Sequence, residues 1–498
     1  AGNTPMTGFV EPGDLQRYQY QSSSVYLGTI HEDHGVDIGP VGINDPRGIF
    51  VQAGSRSGKG RTIGIQNAIR WPGPLLMIDP KGEAASITAM RRGTASAAKG
   101  TGTSVRNFLG QKVAILDPFG ETRGPARKFR TGYNPLIDID PLDEDYSEAI
   151  RSVVKSIVIP DEGGAGAHFS ETTAILLRGV IETLLIREVD PTKRTLPVAR
   201  EILFGRLHEL KAFLAMCPST PAGFGRLAAT AIADVGPDEW GSMSTTMARN
   251  IEWLGSAKLL RDLGPSDFSL VKAVQEGWSI YVVLPPTKMH DYRAWMRIIV
   301  RTALNAKVAM GIDQPGPQTL FMLDEFPLLG HFQIIEESAG FLAGYGIKLM
   351  PFIQNLTQLS ALYPKNWEAF FTNSAATVAW AMDGKTEQEF ISYLLGKVRV
   401  WEESFGSSDG SSMQDQLGVA GGSQAGFSSN VSQRERPVRF NNELHEQAAP
   451  DTGRAFVIPG GGEPFIVRRM NYDAIRQPGL FDAPQYIAEW ERRFGSRV

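Results

Sequence analysis

The sequence predicts an α/β protein in which helices cover a mostly parallel β-sheet. Three observations predict this fold class: short, continuously apolar runs recur along the chain, helical segments separate them, and several runs end in charged or glycine-rich turns. Strands that helices bury on both faces are continuously apolar, and their alternation with helices specifies a parallel sheet. The chain has 498 residues, of which 42 % are hydrophobic, so two or three domains with a full core are expected.

The composition excludes several classes of protein. The single cysteine, Cys217, rules out an internal disulfide and suits a reducing compartment. The net charge of −4 gives no general sign of nucleic-acid binding, so such contacts would come from local patches or from a central pore. No apolar run reaches the ~18 residues that a membrane helix needs, and no signal peptide is visible.

The first apolar strand that candidate functional residues follow is Ile49-Phe50-Val51. A glycine-rich turn and then a helical stretch come after it. Glycines allow backbone N–H groups to face an anion at a helix N-terminus, and Lys59 adds a positive charge for the outer phosphates of a nucleotide. An ordinary strand-to-helix turn with a surface lysine is the alternative. The predicted nucleotide-binding residues are Gly54, Ser55, Arg56, Ser57, Gly58, Lys59, Gly60 and Arg61.

This turn differs from the usual phosphate-binding pattern at two positions. Ala53 stands where the first glycine is usual, and Gly60 follows the lysine where Ser or Thr is usual. The hydroxyl group that would ligate Mg²⁺ is therefore missing.

Two further strands follow, Leu75 to Asp79 and Val113 to Asp117, and both end in a carboxylate. The first continues as Asp79-Pro80-Lys81-Gly82-Glu83, which places charge at the same edge of the sheet as the glycine-rich turn. A basic cluster comes next and could touch nucleic acid, although a solvated loop is favoured. Its members are Arg123, Arg127, Lys128 and Arg130.

Helical spacing replaces strand patterns from about residue 147 to 265. We interpret the middle of this stretch as an all-α domain inserted into the sheet domain, and as a candidate for gripping a substrate or partner. The predicted division is 1–185 for the first part of the nucleotide-binding domain, 186–267 for the insertion, and 268–498 for the second part.

The second part returns to strands, and one of them, Leu320 to Leu323, ends in Asp324 and Glu325. Ligands of open α/β sheets lie at the carboxyl ends of strands. We therefore expect Asp324 to hold Mg²⁺ directly or through water, and Glu325 to orient or deprotonate the attacking water. The next strand, Ile347 to Ile353, ends at Gln354, which could sense the γ-phosphate or could simply cap the following helix.

The last quarter of the chain contains two other predicted features. Residues 404–433 are rich in Gly, Ser and Gln and are expected to form a flexible loop. Two apolar runs around Gly460-Gly461-Gly462 predict a C-terminal β-hairpin.

Five motifs in order resemble the type IV secretion coupling proteins of the TraG/TraD type over residues 45 to 475. They are the glycine-rich turn, Asp79-Pro80-Lys81-Gly82-Glu83, Asn134-Pro135-Leu136, Leu323-Asp324-Glu325-Phe326, and Gln354-Asn355-Leu356-Thr357-Gln358-Leu359. Gly60 after the lysine is also familiar in that family. The resemblance implies a RecA-like P-loop domain with an all-α insertion. It also implies a homo-hexamer at the cytoplasmic face of the bacterial inner membrane, which recruits relaxase-bound single-stranded DNA or protein substrates to the secretion channel.

The chain departs from some relatives in two ways. The usual N-terminal membrane helices are absent, so we expect a soluble portion or a membrane-free variant, associated with the membrane through segments absent from this chain or through partners. Some relatives also carry a trans-acting Arg after the acidic strand, whereas residues 326–347 hold no Arg or Lys.

The function predicted from these observations is an ATPase that binds ATP and Mg²⁺ and delivers DNA or protein substrates to a type IV secretion channel. Two alternatives stay open. One is a substrate receptor in which ATP binding only assembles the ring. The other is a DNA-pumping motor of the chromosome-segregation type.

Overall fold

The computed structural model describes residues 9–31, 37–158, 165–338, 341–408, 426–439 and 441–495. Its strands, in chain order, are β1 (Val25–Ile30), β2 (Gly39–Ile43), β3 (Ile49–Ala53), β4 (Leu75–Asp79), β5 (Val113–Leu116), β6 (Arg130–Thr131), β7 (Ser279–Val283), β8 (Thr319–Leu323), β9 (Ile347–Ile353), β10 (Ala376–Trp380), β11 (Lys397–Ser408), β12 (Gly426–Pro437), β13 (Arg454–Pro459) and β14 (Phe465–Arg468).

Twelve strands form one sheet, in the order β2-β1-β14-β13-β10-β3-β9-β8-β4-β7-β5-β6. All neighbours from β10 to β6 pair in parallel, whereas the pairs from β2 to β10 are antiparallel. Because β3, β4, β8 and β9 run the same way, the turns that follow them meet at one edge of the sheet. The predicted α/β class with a mostly parallel sheet is confirmed.

The helices of the structure cover both faces of this sheet. They are α1 (Ile65–Arg70), α2 (Glu83–Arg92), α3 (Ala95–Ala98), α4 (Tyr146–Ile157), α5 (Ala165–Arg187), α6 (Leu196–Leu203), α7 (Leu207–Ala215), α8 (Phe224–Ala231), α9 (Pro237–Ile251), α10 (Ala257–Asp262), α11 (Leu270–Gln275), α12 (Pro286–Met289), α13 (Arg293–Ala309), α14 (Gln333–Ser338), α15 (Leu356–Leu362), α16 (Ala369–Thr372), α17 (Lys385–Leu395), α18 (Asn441–Gln447) and α19 (Pro484–Phe494). None of the helices in the described ranges is both long enough and apolar enough to cross a membrane.

Successive residues of each central strand contribute to two separate cores. Phe50 of β3 and Ile78 of β4 belong to the core that contains α13, whereas Val51 and Met77 belong to the core that contains α1 and α2. This division follows from the strand geometry, in which consecutive side chains point to opposite faces. It also explains why the strands are apolar at every position.

We call α4 to α11, which lie between β6 and β7, the helical region. A fully buried carboxylate, Glu182 of α5, accepts hydrogen bonds there from Tyr146 Oη (2.9 Å), Thr220 Oγ1 (2.8 Å) and the Gly225 amide (2.7 Å). These bonds fix α5 to α4 and to the start of α8. The predicted boundary at residue 186 falls in the last turn of α5, and the division of the chain into 1–185, 186–267 and 268–498 stays a prediction.

The segment 404–433, expected to be a flexible loop, differs from that expectation at both ends. Residues up to Ser408 belong to β11 and residues from Gly426 onward to β12, and these strands pair antiparallel over their whole length. Backbone hydrogen bonds hold such a ribbon whatever the side chains, so composition alone was misleading here. Residues 409–425 lie outside the described residues. The predicted C-terminal hairpin is present as β13 and β14.

Candidate nucleotide site

The phosphate-binding loop, residues 54–60, follows the end of β3. One hydroxyl group within the loop and one just after it donate hydrogen bonds to its backbone. Ser57 Oγ donates to the Gly54 carbonyl oxygen at 2.7 Å, and Thr62 Oγ1 donates to the Gly58 carbonyl oxygen at 3.0 Å. Gly58 has a φ of +85°, a conformation that favours glycine. These two hydrogen bonds and the left-handed glycine define the shape of the loop.

Two glycines of this loop differ in the space around them. A Cβ atom at Gly54 would lie 2.5 Å from the carbonyl oxygen of Ala381, so a side chain cannot fit there. At Gly60, by contrast, a Cβ atom would meet no atom within 4 Å. Gly60 starts a π-helical turn, Gly60–Gly64, that leads into α1. The missing hydroxyl after Lys59 is thus not a consequence of crowding.

Two side chains that are distant in sequence also donate hydrogen bonds to the loop. Trp380 Nε1, at the end of β10, donates to the Ser57 carbonyl oxygen at 3.1 Å, and Arg469 Nη1 donates to the same oxygen at 2.8 Å. The Arg469 guanidinium lies 5.0 Å from the centroid of the Trp380 ring. Sequence analysis missed both residues, because no local pattern connects them with residue 57.

Lys59 reaches the acidic end of β8. Its Nζ atom lies 3.1 Å from Glu325 Oε1 and 3.6 Å from Asp324 Oδ1. The residue is 9 % exposed. The cation predicted for the phosphates and the two carboxylates predicted for metal and water are thus brought together, as the parallel arrangement of β3, β9 and β8 requires.

Gln354, at the end of β9, completes the group. Its Nε2 atom donates a hydrogen bond to Glu325 Oε1, the same oxygen that contacts Lys59. Glu325 itself has a left-handed backbone, with a φ of 53°. Such a conformation in a non-glycine residue is strained and persists where neighbouring structure enforces it. Asn355, not Gln354, caps α15, since its side chain accepts from the Thr357 amide at 2.7 Å.

Asp79 is a further carboxylate of the site for which sequence analysis gave no role. It ends β4 beside β8, is 4 % exposed, and accepts hydrogen bonds from the Ala85 amide (2.8 Å) and the Lys81 amide (3.3 Å). Burial raises the pKa of Asp79 to about 7, and the neighbouring charge of Asp324 adds to that shift. Burial also raises the pKa of Asp324, against the opposing effect of Lys59.

The remaining predicted residues of the loop lie at its outer side. Ser55 and Arg56 are exposed, and Arg56 has a positive φ of 54°. Arg61 Nη2 lies 3.0 Å from Asp473 Oδ2 and does not join Lys59. The roles of these residues in nucleotide binding stay predictions.

Three of the four basic residues after β5 are engaged within the chain. Arg127 contacts Glu491 at 3.4 Å, Arg130 contacts Asp117 at 3.6 Å, and Lys128 donates to the Ala97 carbonyl oxygen. This arrangement favours the structural interpretation of the cluster over a nucleic-acid contact.

The donor set of the site fits Mg²⁺ in one particular way. Among the residues that the structure describes, no group of three or more His, Cys, Asp and Glu side chains could hold a metal ion alone. Mg²⁺ commonly binds through one or two carboxylates and takes its other ligands from phosphates and water. Asp324 suits such a site.

Comparison with known proteins gives a consistent result. The family model described as "Type IV secretory system Conjugative DNA transfer" matches residues 13–438. The conjugal transfer protein TraG of Escherichia coli is 25 % identical over 493 residues, which cover 94 % of this chain and 72 % of TraG. The coupling protein VirD4 of Bartonella quintana is 24 % identical over 312 residues, which cover 62 % of this chain and 46 % of VirD4.

Solved structures of the plasmid coupling protein TrwB are similar in fold. The unbound monoclinic form aligns with a TM-score of 0.65 at 16 % identity, covering 95 % of both chains. The complex of TrwB with ADP and Mg²⁺ aligns with a TM-score of 0.63 at 16 % identity, covering 96 % of this chain and 98 % of TrwB. At this identity the likeness shows the fold alone, and it confirms the predicted RecA-like architecture.

Proposed function

Because this chain belongs to the type IV secretory system conjugative DNA transfer family, we propose that it hydrolyses ATP to recruit and deliver substrates to a type IV secretion channel. The single observation that carries the hydrolytic part of this proposal is the contact of Lys59 with Asp324 and Glu325. A phosphate-binding lysine, a carboxylate for Mg²⁺ and a carboxylate for water are the groups that phosphoryl transfer to water requires.

Each residue of the site would have a separate role in hydrolysis. Lys59 would leave the carboxylates and contact the outer phosphates, where its charge counters the charge that develops in the transition state. Mg²⁺, held through Asp324, would neutralise the phosphate oxygens. Glu325 would then be free to accept a proton from the attacking water.

Gln354 would transmit the state of the bound nucleotide to the rest of the protein. In the described structure its amide donates to Glu325, so the side chain already contacts the residue that would handle the water. When Lys59 moves to a phosphate, Gln354 could keep Glu325 in position or turn to the γ-phosphate. Either movement would pass the nucleotide state to α15, which begins two residues later.

The finer parts of the proposal rest on family membership. TrwB has been solved with ADP and Mg²⁺ and with a non-hydrolysable ATP analogue. We extend ATP and Mg²⁺ binding from those complexes to this chain. We likewise propose relaxase-bound single-stranded DNA and protein substrates as cargo, channel components as partners, a homo-hexameric ring, and a place at the cytoplasmic face of the bacterial inner membrane.

One experiment tests the proposal against its two alternatives. ATP hydrolysis is measured with and without single-stranded DNA over a range of protein concentrations. Turnover that rises with both DNA and protein concentration supports a substrate-delivering ATPase. ATP binding and ring assembly without turnover would instead indicate a receptor. Movement along DNA that this turnover drives without a relaxase or a channel component would indicate an autonomous DNA pump.

A further inference from the structure

Arg297, in the middle of α13, lies beneath the loop that follows Glu325. The side chain is buried at 4 % exposure, and its Nη1 atom donates to the carbonyl oxygens of Leu329 and, at 3.3 Å, of His331. The aromatic ring of Phe332 lies 4.9 Å from the guanidinium carbon. Arg297 therefore binds the backbone of residues 326–332, which we call the acidic-strand loop, because this segment directly follows Asp324 and Glu325.

The other side of the same guanidinium binds the end of α4. Arg297 Nε donates to the Ser156 carbonyl oxygen at 3.2 Å, and Nη2 donates to the Lys155 carbonyl oxygen at 3.5 Å. The last carbonyl groups of a helix lack partners within it, and a cation satisfies them and complements the helix dipole. One planar side chain thus joins the loop after Glu325 to the first helix of the helical region.

The acidic-strand loop needs such support because it starts from a strained residue. The left-handed backbone of Glu325 (φ 53°) is strained for a residue that carries a Cβ atom. Tyr363, which follows α15, provides a second brace: its hydroxyl oxygen accepts from the Phe332 amide at 3.0 Å. Gly330, with a φ of +70°, brings its backbone so close that an added Cβ would lie 3.1 Å from Arg297 Nη1.

We infer that Arg297 is a positioning residue that holds the left-handed backbone of Glu325 in place and couples the acidic-strand loop to α4. Movement of this loop during hydrolysis is then transmitted to the helical region, and displacement of α4 alters hydrolysis in return. The inference rests on the proposed function, since it takes Glu325 as the residue that handles the attacking water. It assigns Arg297 a role within its own subunit.

The test compares Arg297→Gln with the wild-type chain. We expect kcat for ATP hydrolysis to fall by about tenfold or more while the nucleotide Kd changes by less than about twofold, because ground-state binding is untouched. Hydrogen exchange of residues 150–157 is measured with and without a non-hydrolysable ATP analogue. The wild-type chain should show nucleotide-dependent protection of this stretch, and Arg297→Gln should lose the dependence.

A matched control separates coupling from general damage. Arg92 is also a fully buried arginine that donates to backbone carbonyls, those of Ala68, Trp71 and Gly73, but it lies at the opposite edge of the sheet from the phosphate-binding loop. Arg92→Gln should lower the melting temperature and leave kcat, measured well below that temperature, and the nucleotide response of α4 unchanged. Arg297→Lys keeps the charge but loses the fork that spans both sets of carbonyls, so its kcat should also fall.

Two results would overturn the inference. One is an unchanged kcat in both Arg297 variants together with a wild-type response of α4 to nucleotide. The other is an equal loss of kcat and of that response in Arg92→Gln, which would make the effect a general loss of stability. If Glu325→Gln abolishes turnover while Arg297→Gln does not, only this inference fails. If neither affects turnover, the proposed function fails with it.

Discussion

Lys59 Nζ lies 3.1 Å from Glu325 Oε1, so the lysine and the carboxylate of the candidate site neutralise one another in the described structure. A bound nucleotide competes with Glu325 and Asp324 for this ammonium group, because both carboxylates already contact it. The contact therefore gives different expectations for the loss of the cation and for the loss of the anion.

Loss of the cation should abolish function. Lys59→Ala removes the positive charge for the outer phosphates and leaves two neighbouring carboxylates that repel them. We expect nucleotide binding or turnover to be lost, as measured by binding of a fluorescent ATP analogue and by phosphate release. Lys193→Ala, at an exposed lysine between α5 and α6, serves as the control and should behave as the wild-type chain does. Unchanged hydrolysis in Lys59→Ala would remove the interpretation of residues 54–60 as a phosphate-binding loop.

Loss of the anion should separate binding from catalysis. Glu325→Gln keeps the size of the side chain but cannot act as a base, and it frees Lys59 from its ion pair. We expect ATP affinity to be kept or increased, while turnover falls by about 10²-fold or more. Titration with ATP and single-turnover hydrolysis measure the two quantities separately. A parallel fall of both would show that Glu325 is structural and not catalytic.

The two glycines of the phosphate-binding loop should respond in opposite ways. Gly60→Thr places its side chain in open space and supplies the hydroxyl that many P-loop proteins use on Mg²⁺, so we expect a folded protein with equal or greater stability. Gly54→Ala forces a Cβ to within 2.5 Å of the Ala381 carbonyl oxygen and should impair nucleotide binding. Thermal unfolding and nucleotide titration of the pair test this. Equal effects of both substitutions would contradict the described loop geometry.

Asp262, at the end of α10, should make stability depend on pH. Burial raises its pKa from 3.8 to about 7; the charge of Asp117 adds to the shift, while the Trp295 Nε1 hydrogen bond and the charge of Arg130 oppose it. The folded state therefore binds a proton that the unfolded state has released, and the stability from this proton is lost as pH rises towards about 7.

The measurement is urea unfolding of the wild-type chain and of Asp262→Asn between about pH 5 and about pH 8. Relative to the variant, the wild-type chain should lose up to about 1.4 kcal/mol per pH unit within this window. Asp451→Asn, at an exposed position, is the control and should follow the wild-type curve. Parallel curves for the wild-type chain and Asp262→Asn would show that Asp262 is ionised in the folded state.

The fold class, and the edge of the sheet at which four candidate site residues meet, could be predicted from the sequence because both depend on local patterns. Continuous apolar runs mark buried strands; Asp324, Glu325 and Gln354 follow such runs directly, and Lys59 lies in the glycine-rich turn after another. Their meeting then follows from parallel strand direction. The supports of the site could not be predicted in this way. Trp380 and Arg469 reach residue 57 only through the pairing of β10 with β3 and of β13 with β10.

Arg297 is a second example of contacts that local sequence patterns could not predict. Arg293, Arg297 and Arg301 recur at every fourth position of α13, a spacing that places them on one face of the helix and is typical of a face open to solvent or to another subunit. In the structure, Arg297 is buried and donates to backbone carbonyls from two other segments. Helical spacing indicates which residues share a face, but what covers that face is decided by elements distant in sequence.

The last prediction is that the active form is a ring with its ATP sites between subunits, and that the isolated monomer is a poor ATPase. Charge that develops on the transferred phosphate usually needs a further cation, and a trans-acting arginine can contribute ~10³–10⁵ in rate. Residues 326–347 of this chain hold no Arg or Lys, so the cation has to come from elsewhere.

The sequence offers as candidates the arginines of α13 and those at positions 399, 434, 436 and 439, and the structure reduces this set. Arg297 is engaged in its own subunit, and so is Arg439, whose Nε donates to Gln447 Oε1 at 2.9 Å and whose guanidinium lies over the Phe9 ring. Arg293 and Arg301 of α13 are left for direct tests by substitution. The side chains of Arg399, Arg434 and Arg436 lie outside the described part of the chain.

Specific activity as a function of protein concentration tests whether catalysis depends on assembly of the ring. If catalysis depends on assembly, activity per subunit rises as the ring forms, and the mass measured by light scattering rises in step. Mixing wild-type subunits with inactive Lys59→Ala subunits should then reduce activity in a way that departs from simple dilution, because an inactive site in a mixed ring interrupts the action of its neighbours. A variant that removes the trans-acting arginine should bind ATP, assemble normally, and regain activity in mixed rings with Lys59→Ala, where the defects fall on different sides of the shared site. Constant specific activity from nanomolar to micromolar protein, with a monomeric mass throughout, would contradict the prediction.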